Sequence, residues 1–308
     1  LHPPRSGAPG VIQATPEPKM TQWLLAHETD VQSYVWLAAL LLVAVCESLM
    51  PRRAFVVPAG ARWTQQLALV ALASALVWLC TPIAAMALAM LVEQRGLGLL
   101  NAIAAPEWLS LVIGVVALDL ANYAQHRLAH AVPLLWRFHQ IHHSDLDVDC
   151  GTSLRHHPGE ALLSQVVVLT TIVVVGVPPL AVLVGLSLAA VASVFNHGNI
   201  ALPRRIDTVL RWLIVTPDMH RIHHSARRDE SNANFANLLP WWDRLFATYR
   251  HAPHVDQRQM TLGLERAPMQ SDVTLWKLLR MPFEPLPQTQ RVTRIDGVEV
   301  SPGPSLSS

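Results

Sequence analysis

The chain has 308 residues, of which 51% are hydrophobic and 15% charged, and its mean hydropathy is +0.30. Soluble domains average about 25% charged residues, so this chain lacks the surface charge of a water-exposed fold. Its 23 basic and 22 acidic residues form no basic stripe, so nucleic-acid binding has no electrostatic basis. The three cysteines lie far apart without a CxxC pair, which excludes a disulfide framework and a thiolate zinc site. The unusual component is histidine, with 15 residues.

Residues 1–30 are predicted to be a disordered lead, because the first 20 are rich in proline and show no apolar periodicity. No charged segment directly precedes the first apolar run and no small-residue cleavage site follows it, so we expect no secretory signal. The first residue is leucine rather than methionine, so we expect the natural start to be missing or assigned differently.

Five apolar segments follow, and their number indicates a membrane domain. A spanning helix needs about 20 apolar residues, with 17 near the lower limit. The second segment is nearly free of charge and is expected to kink at Pro82, and the third contains one acid, Asp119. The last two are separated only by a Val-Pro-Pro break, so they form a full or a re-entrant hairpin. The segments are residues 31–46, 67–92, 108–124, 161–177 and 179–195.

The distribution of arginine predicts the orientation of these segments. Several arginines follow the first, third and fifth segments, whereas the connection after the second carries only Arg95, beside an acid. The amino terminus is therefore expected outside, and all but two histidines are expected on the cytoplasmic side. The cytoplasmic parts would be residues 49–64, 126–160 and 197–308.

The histidines are clustered at spacings that predict metal binding. Residues four apart share one helix face, so HxxxH presents two imidazoles side by side, and HxxHH suits two adjacent metals. About 0.04 HxxHH motifs are expected by chance at this histidine content, and two occur, each followed by serine. The clusters are HRLAH at 126–130, HQIHH at 139–143, HHPGE at 156–160 and HRIHH at 220–224, with a lone His197.

The ligand type and number limit the choice of metal. Imidazole suits iron, zinc, copper and nickel. A structural zinc site needs about four ligands, so ten candidates imply two metals. The clusters lie where spanning helices leave the bilayer, which suits chemistry on a lipid. Two irons that bind and split oxygen would explain both the number of ligands and their location.

The motifs HRLAH, HQIHHS, RHHPGE, FNHGN and PDMHRIHHS, followed by NLLPWWDRLFATY, resemble the fatty acid hydroxylase superfamily, also called the sterol desaturase family. The resemblance covers about residues 105–250, in the same order and approximate spacing. It implies an all-α fold, a multi-pass transmembrane helical bundle with a cytoplasmic histidine-rich di-metal cap. It also implies two iron ions, O2 as co-substrate, and electrons from a cytochrome or ferredoxin with its reductase.

The resemblance implies ten metal ligands. His157 matches the family's His-Pro-x-Glu element, and His197 matches its lone mid-chain histidine. Some members have a further histidine four residues later, where this chain has Ala201, so a ligand is missing or supplied by His157. The neighbouring His156 is expected behind the ligands or at the surface. The ligand set is His126, His130, His139, His142, His143, His157, His197, His220, His223 and His224.

Three other side chains are predicted to support these ligands, and no catalytic residue is assigned beyond the ligands. Glu160 and Asn196 are expected to orient imidazoles by hydrogen bonds, with ordinary structural roles left open. Asp119 lies two turns before His126 on one helix face, and an acid inside a span is functional by default. A polar contact between helices is the alternative for Asp119.

The chain is thus divided into a lead (1–30), N-terminal membrane helices (31–104), a catalytic domain (105–250) and a C-terminal part (251–308). The last part is expected to hold an amphipathic helix over 271–281, on the membrane or on the catalytic domain, and a disordered tail.

The predicted function is a membrane, O2-dependent di-iron oxidoreductase that hydroxylates a C–H bond of a lipid or sterol. Desaturation and ether-lipid monooxygenation stay open, because the same metal centre serves them. A membrane metal-binding or transport protein is the alternative from another class, and transport would place histidines near the membrane midplane. A zinc hydrolase would need a motif such as HExxH, which the sequence lacks.

Overall fold

The structure is a computed structural model that describes residues 19–81, 83–265 and 274–285. Within those residues the chain is helical, without a β-strand. The helices, in chain order, are α1 (Lys19–Ala26), α2 (Glu28–Leu49), α3 (Ala59–Cys80), α4 (Ala85–Gln94), α5 (Leu99–Ala102), α6 (Glu107–Ala131), α7 (Pro133–His143), α8 (Pro158–Val175), α9 (Pro179–Asn196), α10 (Arg204–Leu210), α11 (Pro217–His223), α12 (Arg228–Ser231), α13 (Trp241–Leu245) and α14 (Leu275–Arg280).

Five segments of the described chain are long and apolar enough to cross a membrane. They are α2, the stretch Ala59–Ala102 that contains α3 to α5, and then α6, α8 and α9. Large apolar side chains on these helices point outward, such as Trp78, which is 81% exposed, and Leu42 and Val174, each 64% exposed. A surface of this kind suits lipid rather than water. The predicted all-α fold with five apolar segments is confirmed.

One predicted boundary is corrected. The lead was expected to be disordered to residue 30, but α1 and the start of α2 lie within it, and Trp23 stacks on His27 with ring centroids 4.6 Å apart. The second apolar segment is interrupted in the region where a kink was predicted, since α3 ends at Cys80 and α4 begins at Ala85. The expected kink at Pro82 and residues 1–18 lie outside the described residues.

The spanning helices run between the same two ends of the bundle, and the histidines lie at one of these ends. At the end of α2, the Glu47 carboxylate accepts a hydrogen bond from the backbone amide of Asn199 at 2.7 Å. At the start of α3, Arg62 pairs with Asp145 at 2.8 Å. Helix α6 ends, α8 begins and α9 ends at this same level, where His197 follows α9. The bundle therefore passes five times between its two ends, and the histidine motifs lie together at one of them.

At the opposite end, two glycines pack backbone against backbone. Gly98, before α5, has a φ of +86°, and Gly176, after α8, has a φ of +76°. A Cβ atom on Gly98 would lie 2.3 Å from the backbone nitrogen of Gly176. Both the left-handed backbone and the close approach require glycine.

An apolar core fills the bundle between α4, α6, α8 and α9. It fills the space between these helices deeper in the membrane than the histidines, since Leu118 lies two turns before His126 on α6. Its buried members are Ala89, Val92, Leu118, Ile172, Val177, Ala181 and Val182.

The C-terminal helix α14 packs onto the rest of the protein. It begins at Leu275, and residues 271–273 of the predicted helix lie outside the described residues, as does the predicted tail from residue 286. Leu278 is fully buried in a cluster with Leu69 of α3 and Ile141 of α7. Of the two predicted placements, the structure has the helix on the catalytic domain.

Replacing Gly98 by alanine is expected to destabilise the protein by more than the roughly 1–2 kcal/mol of a left-handed alanine, because the methyl group also meets Gly176. Gly60→Ala is the matched control, since its Cβ would meet nothing within 4 Å. Thermal unfolding in detergent measures both. An unchanged melting temperature for Gly98→Ala would contradict this packing.

Candidate metal centre

The histidine motifs lie at helix ends that the local sequence defines. Pro133 and Pro217 stand at the first positions of α7 and α11, where the fixed φ of proline favours a helix start. Thr216 caps α11 by accepting from the amide of Met219 at 3.4 Å. The HxxxH motif therefore occupies the last turns of α6, and the two HxxHH motifs end α7 and α11.

Nine of the ten predicted ligands come together in two groups. Within each group, one ring nitrogen from every histidine lies within 4.8 Å of the others. Each HxxHH motif serves both groups, because its members point to different sides of one helix. The five-histidine group contains His126, His130, His139, His143 and His223, and the four-histidine group contains His142, His197, His220 and His224.

The spacing in the four-histidine group fits one shared cation. The Nε2 atom of His197 lies 3.1 Å from the Nε2 atoms of both His142 and His220. The Nε2 atom of His224 lies 3.3 Å from that of His220. Ligand nitrogens at about 2.0–2.1 Å from a metal are separated by about 2.9 Å in an octahedron and about 3.4 Å in a tetrahedron.

In the five-histidine group, several rings form a hydrogen bond through the nitrogen that faces away from the group. The nitrogen that faces into the group then has no hydrogen-bond partner. His126 donates its Nδ1–H to the carbonyl of Phe235 at 2.6 Å, and His223 donates to the carbonyl of Ala233 at 2.8 Å. The Nε2 atoms of both rings are buried without a hydrogen-bond partner, as is that of His139. An outer hydrogen bond that fixes the tautomer and leaves the other nitrogen free is the usual arrangement of a metal-binding histidine.

Glu160 supports the five-histidine group as the sequence predicted. Its Oε1 atom accepts the Nδ1–H of His139 at 2.6 Å and lies 3.3 Å from Nδ1 of His156. These three residues form a further cluster whose ligand atoms lie within 4.8 Å of one another. The contact orients the His139 ring so that its Nε2 atom faces the group.

His157 is the predicted ligand that the structure does not bring to either group. It caps α8, and its Nδ1 atom accepts from the amide of Gly159 at 2.9 Å while its ring packs on Phe138. His156 instead stacks on His142, with ring centroids 4.5 Å apart and an interplanar angle of 10°. His156 thus lies behind a member of the four-histidine group, as predicted, while the helix cap turns the His157 ring back to its own backbone.

Burial keeps several of these imidazoles neutral. Loss of hydration lowers the pKa of His197 and of His223 to about 3. Burial, with neighbouring histidines, also lowers the pKa of His142 and His143 well below the ordinary value. Neutral imidazole is the form that binds a metal, so the protein holds these rings ready for binding near neutral pH.

Comparison with known proteins points to the same part of the chain as the histidine groups. Residues 111–248 match the sequence family described as fatty acid hydroxylase. This part of the chain is similar to the fatty acid hydroxylase family. The matched residues contain every member of both histidine groups. No solved structure matches the chain.

Curated relatives in this superfamily are lipid hydroxylases and monooxygenases. Alkylglycerol monooxygenase of Homo sapiens is 31% identical over 151 residues, 46% of this chain and 30% of that protein. Ornithine lipid hydroxylase OlsE of Rhizobium tropici is 30% identical over 149 residues, 48% of this chain and 44% of that protein. Cholesterol 25-hydroxylase of Rattus norvegicus is 27% identical over 154 residues, 46% of this chain and 47% of that protein. The matches thus span between 30% and 47% of the relatives' lengths.

Two predicted supporting residues contact loops rather than imidazoles. Asp119 accepts hydrogen bonds from the indole of Trp242 at 2.8 Å and from the amide of Leu239 at 3.2 Å. Asn196 donates its side-chain amide to the carbonyl of Asn237 at 2.9 Å. Asp119 therefore makes the polar contact that was its alternative, and both residues hold the loop that precedes α13.

Glu47 supports the four-histidine group from outside the family match. Its Oε1 atom accepts from the backbone amides of Cys150 and Asn199, each at 2.7 Å. Asn199 lies two residues after His197, so α2 fixes the chain that carries this ring. The sequence analysis did not single out Glu47, because the first apolar segment was taken to end at residue 46. The available signal was an acidic residue at the end of an apolar helix.

Arg62 supports the other motif in the same way. Its fully buried guanidinium binds Asp145 at 2.8 Å and Asp149 at 2.7 Å. These acids follow the first HxxHH motif, so the pair ties that loop to α3. In the sequence, Arg62 is one of the arginines that follow the first apolar segment, and the DxDxD spacing at 145–149 was the signal for its partners.

A cavity of about 160 Å³ lies against both groups. His126 and His139 reach it from the five-histidine group, and His142, His197 and His220 reach it from the four-histidine group. A small molecule bound in this cavity would contact histidines of both candidate metal positions.

Replacing His142 by asparagine is expected to lower bound metal from two ions to about one per chain, because the four-histidine group loses a donor. His157→Asn is expected to keep both ions, since asparagine preserves the helix cap. Metal analysis of the purified proteins distinguishes the variants. Loss of metal in His157→Asn, or retention of two ions in His142→Asn, would contradict the assignment.

Replacing Glu47 by leucine leaves two buried amides without an acceptor, at about 1–3 kcal/mol each. We expect a lower melting temperature and less metal bound. Glu47→Gln keeps an oxygen at this position and is expected to stay close to the wild type in both measurements. Equal behaviour of the leucine and glutamine variants would show that the hydrogen bonds have no such role.

Proposed function

We propose that this protein is an integral membrane, O2-dependent di-iron oxidoreductase that hydroxylates a C–H bond of a lipid or sterol. The observation that supports it most strongly is the pair of imidazole groups beside one cavity. Two adjacent metal positions facing one substrate space suit a reaction that activates O2. The lipid hydroxylases and monooxygenases among the relatives give the reaction class.

The residues fit two iron ions. Both groups consist of imidazoles, which suit iron, and buried nitrogens face the interior of the five-histidine group without a partner. Bound iron would supply the redox chemistry of the net reaction, R–H + O2 + 2 electrons + 2 protons giving R–OH + H2O. The chain would hold the ions through nine histidines, orient His139 through Glu160, and exclude water by burial of the rings.

The electrons would come from a redox partner, such as a cytochrome or a ferredoxin with its reductase. The arginine distribution supports a cytoplasmic position for the histidine end and the C-terminal part, where such a donor is available. Arg52, which pairs with Asp218 at 2.8 Å, lies at this same end of the bundle.

Three alternatives differ in how well the observations support them. Ether-lipid monooxygenation has the 31% identity to alkylglycerol monooxygenase in its favour, and desaturation would use the same centre. Metal transport would place ligands along a path through the midplane. His126 and His130 instead lie in the last turns of α6, and the apolar core fills the bundle behind them.

The test uses the purified protein with iron, a chemical or protein reductant, and a lipid extract. We expect about two irons per chain, O2 consumption on reduction, and a lipid that gains 16 mass units. His142→Ala is expected to reduce product formation at least about 100-fold, because it removes a ligand rather than an outer contact. A lipid that loses two mass units would indicate desaturation, and two bound zinc ions without O2 consumption would contradict the proposal.

A further inference from the structure

The short helices α10 and α13 turn apolar side chains outward at the histidine end of the protein. On α10, Ile206 and Val209 lie one turn apart and are exposed, while Asp207 on another face is buried. A helix that packs on a protein core and faces water has the opposite pattern. The exposed apolar residues define the α10–α13 surface, and each is 41% to 68% exposed: Ile206, Val209, Trp212, Trp241, Leu245 and Phe246.

Contacts between the end of α10 and the start of α13 make this one surface. Trp241 donates its indole N–H to the carbonyl of Trp212 at 2.7 Å. Arg244 donates to the carbonyl of Arg211 at 2.7 Å, and its guanidinium lies 4.5 Å from the centroid of the Trp212 ring. The apolar side chains are therefore neighbours in a continuous patch, and such patches mark contacts with a protein or a membrane.

The α10–α13 surface adjoins the outer side of the spanning helix α6. Phe246, which follows α13, stacks on Tyr123 of α6 with ring centroids 5.4 Å apart. One turn further along α6, the Arg127 guanidinium lies 6.0 Å from the centroid of the Phe246 ring, and the neighbouring Leu128 is exposed. Because α6 is apolar and long enough to cross a membrane, the surface continues a side of the protein that faces lipid.

The charges of α10 and α13 favour anionic lipid headgroups. Arg204 and Arg205 are exposed at the start of α10, whereas the acidic residues of both helices are buried. Asp207 pairs with Arg211 at 2.7 Å, and Asp243 is fully buried. Exposed tryptophan together with arginine is typical of the membrane–water interface, where arginine is attracted to anionic lipids.

A mainly apolar cavity of about 640 Å³ lies beside this surface. Leu128 of α6 and Phe246 line it, and both are also exposed on the outside of the protein. At its inner side the cavity reaches His130 of the five-histidine group. A cavity with apolar residues at its outer side and a histidine at its inner side suits a molecule that arrives from lipid.

We propose that the α10–α13 surface is embedded in the interfacial layer of the leaflet at the histidine end, where Arg204 and Arg205 bind anionic lipid headgroups. The apolar cavity then opens into lipid, so a molecule reaches the histidines from the leaflet without entering water. Continuity with α6 and the two exposed arginines favour lipid over a second copy of the chain or a soluble protein. The inference needs the spanning helices but not the proposed reaction.

The first test uses nitroxide labels on single cysteines of the protein in lipid nanodiscs. Val209→Cys and Leu245→Cys are made after Cys46→Ala and Cys80→Ala, since the remaining Cys150 is buried. We expect collisions with O2, which dissolves in lipid, to exceed collisions with a water-soluble nickel reagent at both positions. More frequent collisions with the nickel reagent would show a surface in water, and shielding from both reagents would show a protein partner. Either result would overturn the inference.

Two control positions calibrate these labels. Arg227→Cys is expected to favour the nickel reagent, because Arg227 belongs to a cluster of exposed ion pairs around Asp229. Leu42→Cys is expected to favour O2, because this side chain points outward from the spanning helix α2. A label at residue 42 that favours the nickel reagent would contradict the membrane placement itself, and with it the proposed function. If Val209→Cys or Leu245→Cys loses thermal stability, the other variant decides the result.

The second test measures the contribution of lipid charge. Headgroups that bind the folded protein stabilise it, so we expect a higher melting temperature in anionic than in zwitterionic nanodiscs. The double variant Arg204→Gln/Arg205→Gln is expected to reduce this difference, whereas Arg227→Gln is expected to keep it. An equal difference in the double variant and the wild type would overturn the role of the two arginines. Absence of an O2-dependent product contradicts the proposed function instead, so the two failures are distinguishable.

Discussion

Nine imidazoles share a small buried volume, and the rest of the structure follows from holding them there. In the four-histidine group, neighbouring ring nitrogens lie 3.1 to 3.3 Å apart. In the five-histidine group, buried nitrogens of His126, His139 and His223 have no protein partner. Unpartnered buried polar atoms of this number destabilise a fold unless a bound group satisfies them. Two cations, one per group, would do so.

The scaffold controls these rings from the outside. Backbone carbonyls fix the tautomers of His126 and His223, and Glu160 fixes that of His139. Glu47 and Arg62 then tie the loops after the motifs to α2 and α3. The helices that precede the family match are therefore part of the metal centre and not only an anchor in the membrane.

Patterns that depend on neighbours in the sequence predicted much of this. Apolar runs located the membrane segments, and the spacing of histidines located eight members of the two groups, whereas His197 came from the resemblance to a family. The ring of His157 could not be placed in this way, because whether it faces the metals or caps α8 depends on the backbone before Pro158. The partners of Asp119 and Glu47 lie 123 and 152 residues away, a separation that no local pattern encodes.

The central claim is that each imidazole group holds one iron. Anomalous diffraction from crystals of the iron-loaded protein, measured on both sides of the iron K edge, tests this directly. The account predicts two peaks per chain, one among the five histidines and one among the four, with His157 outside both. A single peak, or a peak at His157, would contradict it.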